Sequence, residues 1–299
     1  MRHPFKVWRD TANRLSPLRI ITLACLFAPL LIAIYDADDI VHDAQPITSL
    51  IHRTGDWALI FLLAALAVTP LSKILRFNQL LDVRRMIGVC AFAYAAAHFT
   101  LFIVDLNFVW REIASEIVRR NRLTLGFVAL IGLVALAATS TNGMVRRLGI
   151  KRWQRLHQAI YAIGVLVLIH YFLRFKLIGS LPTFAAGLFG WLIGYRLLIW
   201  WRKTRNEPPT WMLLALSVVI AALTFVVEAI ALGIQANVSP LRVLQNAFDF
   251  DIDMIRPGWL VLAAGLSVVV LDLVRARFAK PRRTARQTQS TLASGKPAA

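Results

Sequence analysis

The sequence has few charged residues. Only 17% of its 299 residues are Asp, Glu, Lys or Arg, whereas 58% are hydrophobic, a balance that an ordinary soluble domain does not show. The chain is therefore predicted to be an all-α, polytopic membrane bundle, since a helix satisfies its own backbone hydrogen bonds in hydrocarbon. Lys and Arg number 34 against 16 acids, but they fall in short segments between apolar runs and form no recognition motif, so nucleic acid is not an expected partner.

Several sequence motifs are also missing. The two cysteines, Cys25 and Cys90, form no CxxC or CxxCH pair, which argues against a disulfide framework and against covalent c-type haem. The sequence also lacks a GxGxxG loop of the kind that marks a flavin or nicotinamide domain. The first apolar run lacks a clear small-residue cleavage site, so we expect a retained span rather than a signal peptide.

Eight apolar windows have the length of membrane spans, about 17 to 25 residues. They cover residues 18–35, 57–74, 86–104, 123–139, 156–173, 181–201, 211–232 and 257–274. We interpret residues 1–17 as a cytoplasmic segment, 18–204 as a six-span core, 205–276 as two additional spans after a polar linker, and 277–299 as a disordered basic tail near anionic headgroups.

The loops predict an orientation for the bundle. Most Lys and Arg lie in the loops that share a side with the two termini, whereas the opposite loops carry several aspartates. Because positively charged loops stay in the cytoplasm, both termini are expected there.

Two histidines are predicted to lie at one depth. His98 is 12 residues into the third span and His170 is 14 residues into the fifth, which places both roughly 18 to 21 Å from the same side. Facing imidazoles on separate helices are the arrangement that a six-coordinate b-type haem requires. The alternative is that each histidine only hydrogen-bonds a Ser, a Thr or a backbone carbonyl.

A third histidine, His157, is less clearly assigned. It lies roughly 20 Å from His170 along the helix and roughly 140° around it, so stacking the two requires a bend, for which Gly164 is the candidate position. Arg84 and Arg85 occupy the matching depth and suit haem propionates or a quinone headgroup better than iron. His157 is either a ligand of a second haem or an interfacial histidine.

The other polar residues have simpler interpretations. His3, His42 and His52 are expected in loops or at a loop edge, exposed to solvent. Glu228 and Asp272 lie near the ends of the last two spans, where snorkelling toward the headgroups is the first interpretation and proton handling the second.

Several segments resemble one family. The chain is similar to the MsrQ (YedZ) family, within the ferric-reductase-like transmembrane superfamily, in Arg84 to Gly88, Ala97 to Thr100, Thr139 to Met144, Leu148 to His157 and Ile169 to Tyr171. The resemblance covers approximately residues 18–201. The two spans after residue 204 depart from it.

The resemblance implies an electron-transfer subunit rather than a catalytic one. In that family, electrons from the quinone pool or a flavin pass through b-type haem to a periplasmic molybdopterin partner, MsrP, which reduces methionine sulfoxide in oxidised proteins. The family ligands fall on His98 and His170 for one haem and on His157 for a second. FMN is also associated with the family, but no Gly-rich phosphate loop places it here. The rival interpretations are a ferric reductase-like oxidoreductase and a haem-free transporter or scaffold.

Overall fold

A computed structural model describes residues 15–175, 180–203, 207–248 and 255–278. The secondary structure of these residues is almost entirely helical. In chain order the α-helices are α1 (Pro17–Tyr35), α2 (Ala37–Val41), α3 (Pro46–Ile74), α4 (Leu80–Asp105), α5 (Trp110–Arg119), α6 (Asn121–Ala138), α7 (Asn142–Leu148), α8 (Ile150–His157), α9 (Ile160–Arg174), α10 (Ser180–Arg202), α11 (Thr210–Ala236), α12 (Pro240–Gln245) and α13 (Pro257–Phe278).

Eight helical segments of the described chain are long and apolar enough to cross a membrane, with α8 and α9 together forming one of them. Each coincides with a predicted window, so the prediction of an all-α polytopic bundle is confirmed. The two ends of the bundle are named here after their short helices: the α5 end and the α7 end.

Helix α3 is the centre of the bundle. Half of its most apolar window is buried, the largest share of the eight. One hydrophobic cluster, which includes Phe61 and Leu62, joins α3 to α1, α4, α6 and α9. A second cluster, which includes Leu59 and Leu66, joins it to α9, α10, α11 and α13. Helix α3 therefore separates two packed halves.

The fifth span is interrupted. Helix α8 ends at His157 and α9 begins at Ile160, with Gln158 and Ala159 in a turn between them. The amide of Gln158 is shared between two preceding carbonyls, at 3.0 and 3.2 Å, as is common at helix ends. Gly164, the candidate position for the bend that stacking of His157 on His170 would require, is instead buried inside continuous α9.

The last two spans pack on the outside of α10. Helices α11 and α13 contact each other and both contact α10. The indole nitrogen of Trp191 on α10 donates a 3.0 Å hydrogen bond to the hydroxyl of Ser217 on α11. Gly187 faces α11 and α13, and Gly265 faces α11. Because small residues let membrane helices approach closely, these glycines allow tight packing of the added spans.

An acidic residue after the linker ties this pair to the core at the α7 end. The carboxylate of Glu207 accepts hydrogen bonds from Arg76, which follows α3, at 3.2 Å and from Arg275 on α13 at 3.1 Å. The added spans are therefore joined to the core by charge as well as by packing.

The two carboxylates of the added spans are held inside the protein. Asp272 accepts hydrogen bonds from Thr210 and Arg275, each at 2.7 Å, and Glu228 pairs with Arg256 at 3.3 Å. Their side chains are only 9% and 14% exposed. The predicted snorkelling toward the headgroups is therefore wrong, because both charges find basic partners within the chain.

Candidate functional site

His98 on α4 and His170 on α9 face each other near the α5 end. Their ring centres are 6.3 Å apart and the ring planes are inclined at 84°. A metal–imidazole bond is about 2.0 Å long and the ring centre lies roughly 1.1 Å behind the nitrogen, so two imidazoles on opposite sides of one ion have centres about 6.2 Å apart. The spacing of the two rings fits a single metal ion between them.

Each ring is held by a backbone carbonyl of a neighbouring helix. Nδ1 of His98 lies 2.7 Å from the carbonyl oxygen of Ile51 on α3, and Nδ1 of His170 lies 2.7 Å from that of Arg122 on α6. A carbonyl oxygen only accepts, so Nδ1 is the protonated, donating nitrogen in both neutral rings. Nε2 of each ring then keeps the lone pair that a metal requires.

The two histidines line a cavity of about 750 Å³, within the range of roughly 300–1,000 Å³ typical of cofactor sites. Its walls come from α3, α4, α5, α6 and α9. The part between the long helices is mainly apolar, and includes Leu59, Leu62, Phe99, Phe127, Leu130 and Leu133. The size and the apolar lining would suit a porphyrin held by both histidines.

The α5 end of the cavity is charged. It carries three acids, Asp105 on α4 and Glu112 and Glu116 on α5, and five arginines: Arg111, Arg119, Arg120, Arg122 and Arg174. One of the arginines, Arg120, pairs with Glu116. Such an excess of guanidinium groups suits the carboxylates of a haem. The apolar interior matches the macrocycle of a haem, and the basic mouth matches its carboxylates.

Helix α5 was not predicted from the sequence. It is short and strongly amphipathic, so its average hydropathy stays low and a search for apolar windows misses it. The signal that reveals it is the helical spacing of Ile113 and Ile117 among charged residues, with Ile113 buried. Helix α5 covers the mouth of the cavity.

The prediction that His52 lies in a loop or at a loop edge is wrong. Helix α3 begins at Pro46, well before the apolar window at residue 57, so His52 is helical and lines the cavity beside His98. Proline at the first turn of a helix is the start signal that identifies the longer helix. His42 lies at the C-terminus of α2 and is exposed, as predicted, and His3 lies outside the described residues.

His157 lies apart from the other two histidines, at the α7 end. Its ring stacks on that of Trp153 at 4.0 Å, its Nδ1 is 3.2 Å from the Trp153 carbonyl, and its Nε2 is 3.4 Å from the hydroxyl of Ser140. Nδ1 donates to the Trp153 carbonyl, whereas the Ser140 hydroxyl gives its proton to the Leu136 carbonyl at 2.7 Å and only lies near Nε2. Within the described residues the structure brings no second imidazole to His157.

Arg84 and Arg85 lie close enough to act electrostatically on His157. Arg85 donates a 2.5 Å hydrogen bond to the side-chain oxygen of Asn142 on α7. Arg84 is near Tyr161 and Arg196. The α7 end therefore holds a positively charged group around His157, separate from the cavity of His98 and His170.

Comparison with known proteins points to the same helices. Residues 54–168 match the family model described as the ferric reductase like transmembrane component, a range that holds His98 and His157 and ends two residues before His170. No solved structure matches this chain.

Curated relatives extend the match. A protein of Rhodospirillum rubrum named protein-methionine-sulfoxide reductase heme-binding subunit MsrQ is 41% identical over 201 residues, which are 66% of this chain and 93% of the relative. Proteins with the same name are 41% identical over 170 residues in Herminiimonas arsenicoxydans (55% and 77%) and 43% identical over 165 residues in Xanthomonas campestris pv. campestris (55% and 74%).

Proposed function

Because this chain belongs to the MsrQ family, we propose that it binds b-type haem between His98 and His170 and transfers electrons across the membrane. The observation that carries the proposal is the pair of imidazoles with centres 6.3 Å apart, each with Nδ1 bound to a carbonyl and Nε2 left for iron. A haem supplies one-electron chemistry at its iron.

The protein residues have distinct tasks in this proposal. The carbonyls of Ile51 and Arg122 keep the proton on Nδ1, so both rings offer the same nitrogen. With both histidines as ligands, a bound haem would have no site left for a substrate and would supply electron transfer rather than catalysis at the iron. The apolar walls would exclude water, and arginines of the mouth would hold the propionates.

We place the α5 end at the periplasmic face and both termini in the cytoplasm of a bacterial inner membrane. The support is the balance of charge: the α5 end has arginines too, but most Lys and Arg of the loops lie at the other end, among them Arg84, Arg85 and those of α7 and α8. The loop aspartates Asp36, Asp38 and Asp43 lie at the α5 end. Positively charged loops are retained in the cytoplasm. The cavity then lies near the face where electrons leave.

The electron acceptor in this proposal is a periplasmic, MsrP-like molybdopterin subunit that reduces methionine sulfoxide in oxidised proteins. The names of the relatives, which refer to a protein-methionine-sulfoxide reductase, support it. The electron donor in this proposal is the quinone pool or a flavin such as FMN. The described residues contain no Gly-rich loop that would bind the phosphate of FMN.

We propose that His157, Arg84 and Arg85 form the region where electrons enter. Their position at the α7 end and their positive charge suit a quinone headgroup or the propionates of a second haem. Among the described residues no second imidazole lies near His157 to complete the ligation of a second haem. The site of His98 and His170 already holds two imidazoles.

The six-span core is the functional unit in this proposal, and α11 and α13 are an addition to it. Every residue that lines the cavity lies between Thr48 and Arg174. A ferric reductase-like oxidoreductase is the second candidate, favoured by the family model over residues 54–168. It differs in needing a cytoplasmic flavin and nicotinamide partner.

Spectra of the purified full-length protein test the haem. We expect a b-type absorption band after reduction with dithionite and at least one haem per chain by chemical assay. A preparation that is folded but has no haem absorption, even after haem is supplied during expression, would contradict the proposal and favour a haem-free scaffold. Reduction by a quinol, compared with reduction by NADH plus a flavin reductase, separates the two haem-based candidates.

A further inference from the structure

The two histidines of the cavity are bound by one repeated backbone arrangement. His98 donates to the carbonyl of Ile51, and four residues after Ile51 on the same helix is Gly55. His170 donates to the carbonyl of Arg122, and four residues after Arg122 is Gly126. Two different helices, α3 and α6, thus offer a carbonyl at one position and a glycine at the fourth position after it.

In a helix, the residue four positions after a carbonyl controls access to that carbonyl. The carbonyl of residue i accepts the amide of residue i+4 and has a second lone pair free. The side chain of residue i+4 tilts toward the helix N-terminus and covers the turn that holds this carbonyl. Only glycine at i+4 leaves the second lone pair fully open to a donor from a neighbouring helix.

The distances show that both glycines have this effect. A Cβ at Gly55 would lie 3.0 Å from Nδ1 of His98, and a Cβ at Gly126 would lie 2.8 Å from Nδ1 of His170. In each case the nearest atom is the nitrogen that donates the hydrogen bond, joined at Gly126 by Cε1 at the same distance. An alanine at either position would therefore push directly on the bond to the carbonyl.

We propose that Gly55 and Gly126 are positioning residues for the haem ligands. Each glycine lets the imidazole approach the carbonyl four residues earlier, which fixes the proton on Nδ1 and aims Nε2 into the cavity. The inference rests on the proposed haem site and adds to it the residues that orient its two ligands. A hydrogen bond donated by Nδ1 also raises the basicity of Nε2, the nitrogen that would bind iron.

The chain offers two matched controls. Gly132 is on α6, as Gly126 is, and a Cβ there would lie 2.7 Å from Ile163 on α9. It is as crowded as Gly126, between the same two helices, but touches no histidine. Gly88 on α4 has open space around it, so Gly88→Ala reports the effect of alanine on the helix alone.

The experiment compares Gly55→Ala and Gly126→Ala with Gly132→Ala and Gly88→Ala in the full-length protein. We measure haem per chain, haem affinity, the electron paramagnetic resonance spectrum of the ferric protein and the midpoint potential. In Gly55→Ala and Gly126→Ala we expect haem affinity to fall roughly 10- to 100-fold, as for other residues that orient metal ligands. The remaining haem should have an altered low-spin signal and a raised potential, because a weaker bond at Nδ1 makes the ligand less basic.

Two results would overturn the inference. One is wild-type haem affinity, signal and potential in both Gly55→Ala and Gly126→Ala. The other is the same change in Gly132→Ala, which would show that crowding between α6 and α9 is the cause. A wild-type protein without haem would instead overturn the proposed function, so the two failures are distinguishable.

A measurement on the wild-type haem protein covers the case in which the variants do not accumulate. Pulsed electron paramagnetic resonance detects Nδ1 of each imidazole ligand, the nitrogen that does not bind iron, and its proton. We expect Nδ1 of both rings to be protonated and hydrogen-bonded. An Nδ1 without that hydrogen bond would overturn the inference without any substitution.

Discussion

The carboxylate of Asp56 on α3 accepts a 2.6 Å hydrogen bond from the guanidinium of Arg174 on α9. The two side chains are 32% and 22% exposed, so the ion pair is partly shielded from water. Arg174 lines the mouth of the cavity, and Asp56 directly follows Gly55. The pair therefore fastens α3 to the helix that carries His170.

Replacing Asp56 with Asn should loosen this part of the bundle. The substitution leaves a partly buried guanidinium without its charged partner, which costs about 1–3 kcal/mol. We expect a lower thermal midpoint of the detergent-solubilised protein and easier loss of haem. Asp82→Asn is the control, since Asp82 is exposed and has no ion pair among the described residues. Equal midpoints for the two variants would contradict a stabilising role for the pair.

Substitution of the histidines should separate one haem site from the α7 end. His98→Ala and His170→Ala should each abolish the same b-type signal, because both rings are needed to fill the axial positions. His157→Ala should leave that signal largely intact and slow reduction by quinol. His42→Ala is the control, because His42 is exposed at the C-terminus of α2. Loss of all haem from His157→Ala would argue against two separate regions.

The orientation can be tested with single cysteines in a background without Cys25 and Cys90. Ala114 on α5 and Arg146 on α7 are both exposed and do not line the cavity. In intact cells whose outer membrane is permeabilised, a membrane-impermeant maleimide should label Ala114→Cys and not Arg146→Cys. Both should react after lysis. The reverse pattern would place the cavity near the cytoplasm.

Truncation after residue 204 should preserve the haem. The cavity is lined only by residues from Thr48 to Arg174, and α11 and α13 contact the core mainly through α10. We expect the b-type spectrum and the haem-to-protein ratio of the full chain, with lower thermal stability. Glu207→Gln in the full-length protein weakens only the charged link to Arg76 and Arg275 and serves as the milder comparison. A folded but haem-free truncation would show that the added spans belong to the core.

The sequence was sufficient to predict the elements that depend on apolar length. Eight windows correspond to eight spans because a membrane requires each to be long and apolar. The common depth of His98 and His170 follows from counting residues along two parallel helices, since the rise per residue is constant. Both predictions used properties of single helices.

The parts that the sequence did not predict depend on contacts between helices or on polar helical segments. The sequence predicts a loop or a loop edge at His52 because the apolar window begins only at residue 57, whereas α3 extends into the polar residues before it. The partners of Asp272 and Glu228 come from other segments, so burial could not be inferred from position alone. The carbonyls beside Gly55 and Gly126 are backbone atoms, and which donor reaches them is decided only when the helices pack.

The bond between Trp191 and Ser217 has a consequence for biogenesis. Trp191 is synthesised before its acceptor, so in hydrocarbon its indole N–H remains without that acceptor until α11 has entered the membrane. The walls of the cavity, by contrast, are all synthesised by residue 174. A haem bound as we propose could therefore enter while Trp191 still lacks Ser217, since every wall of its cavity precedes α10 in the order of synthesis.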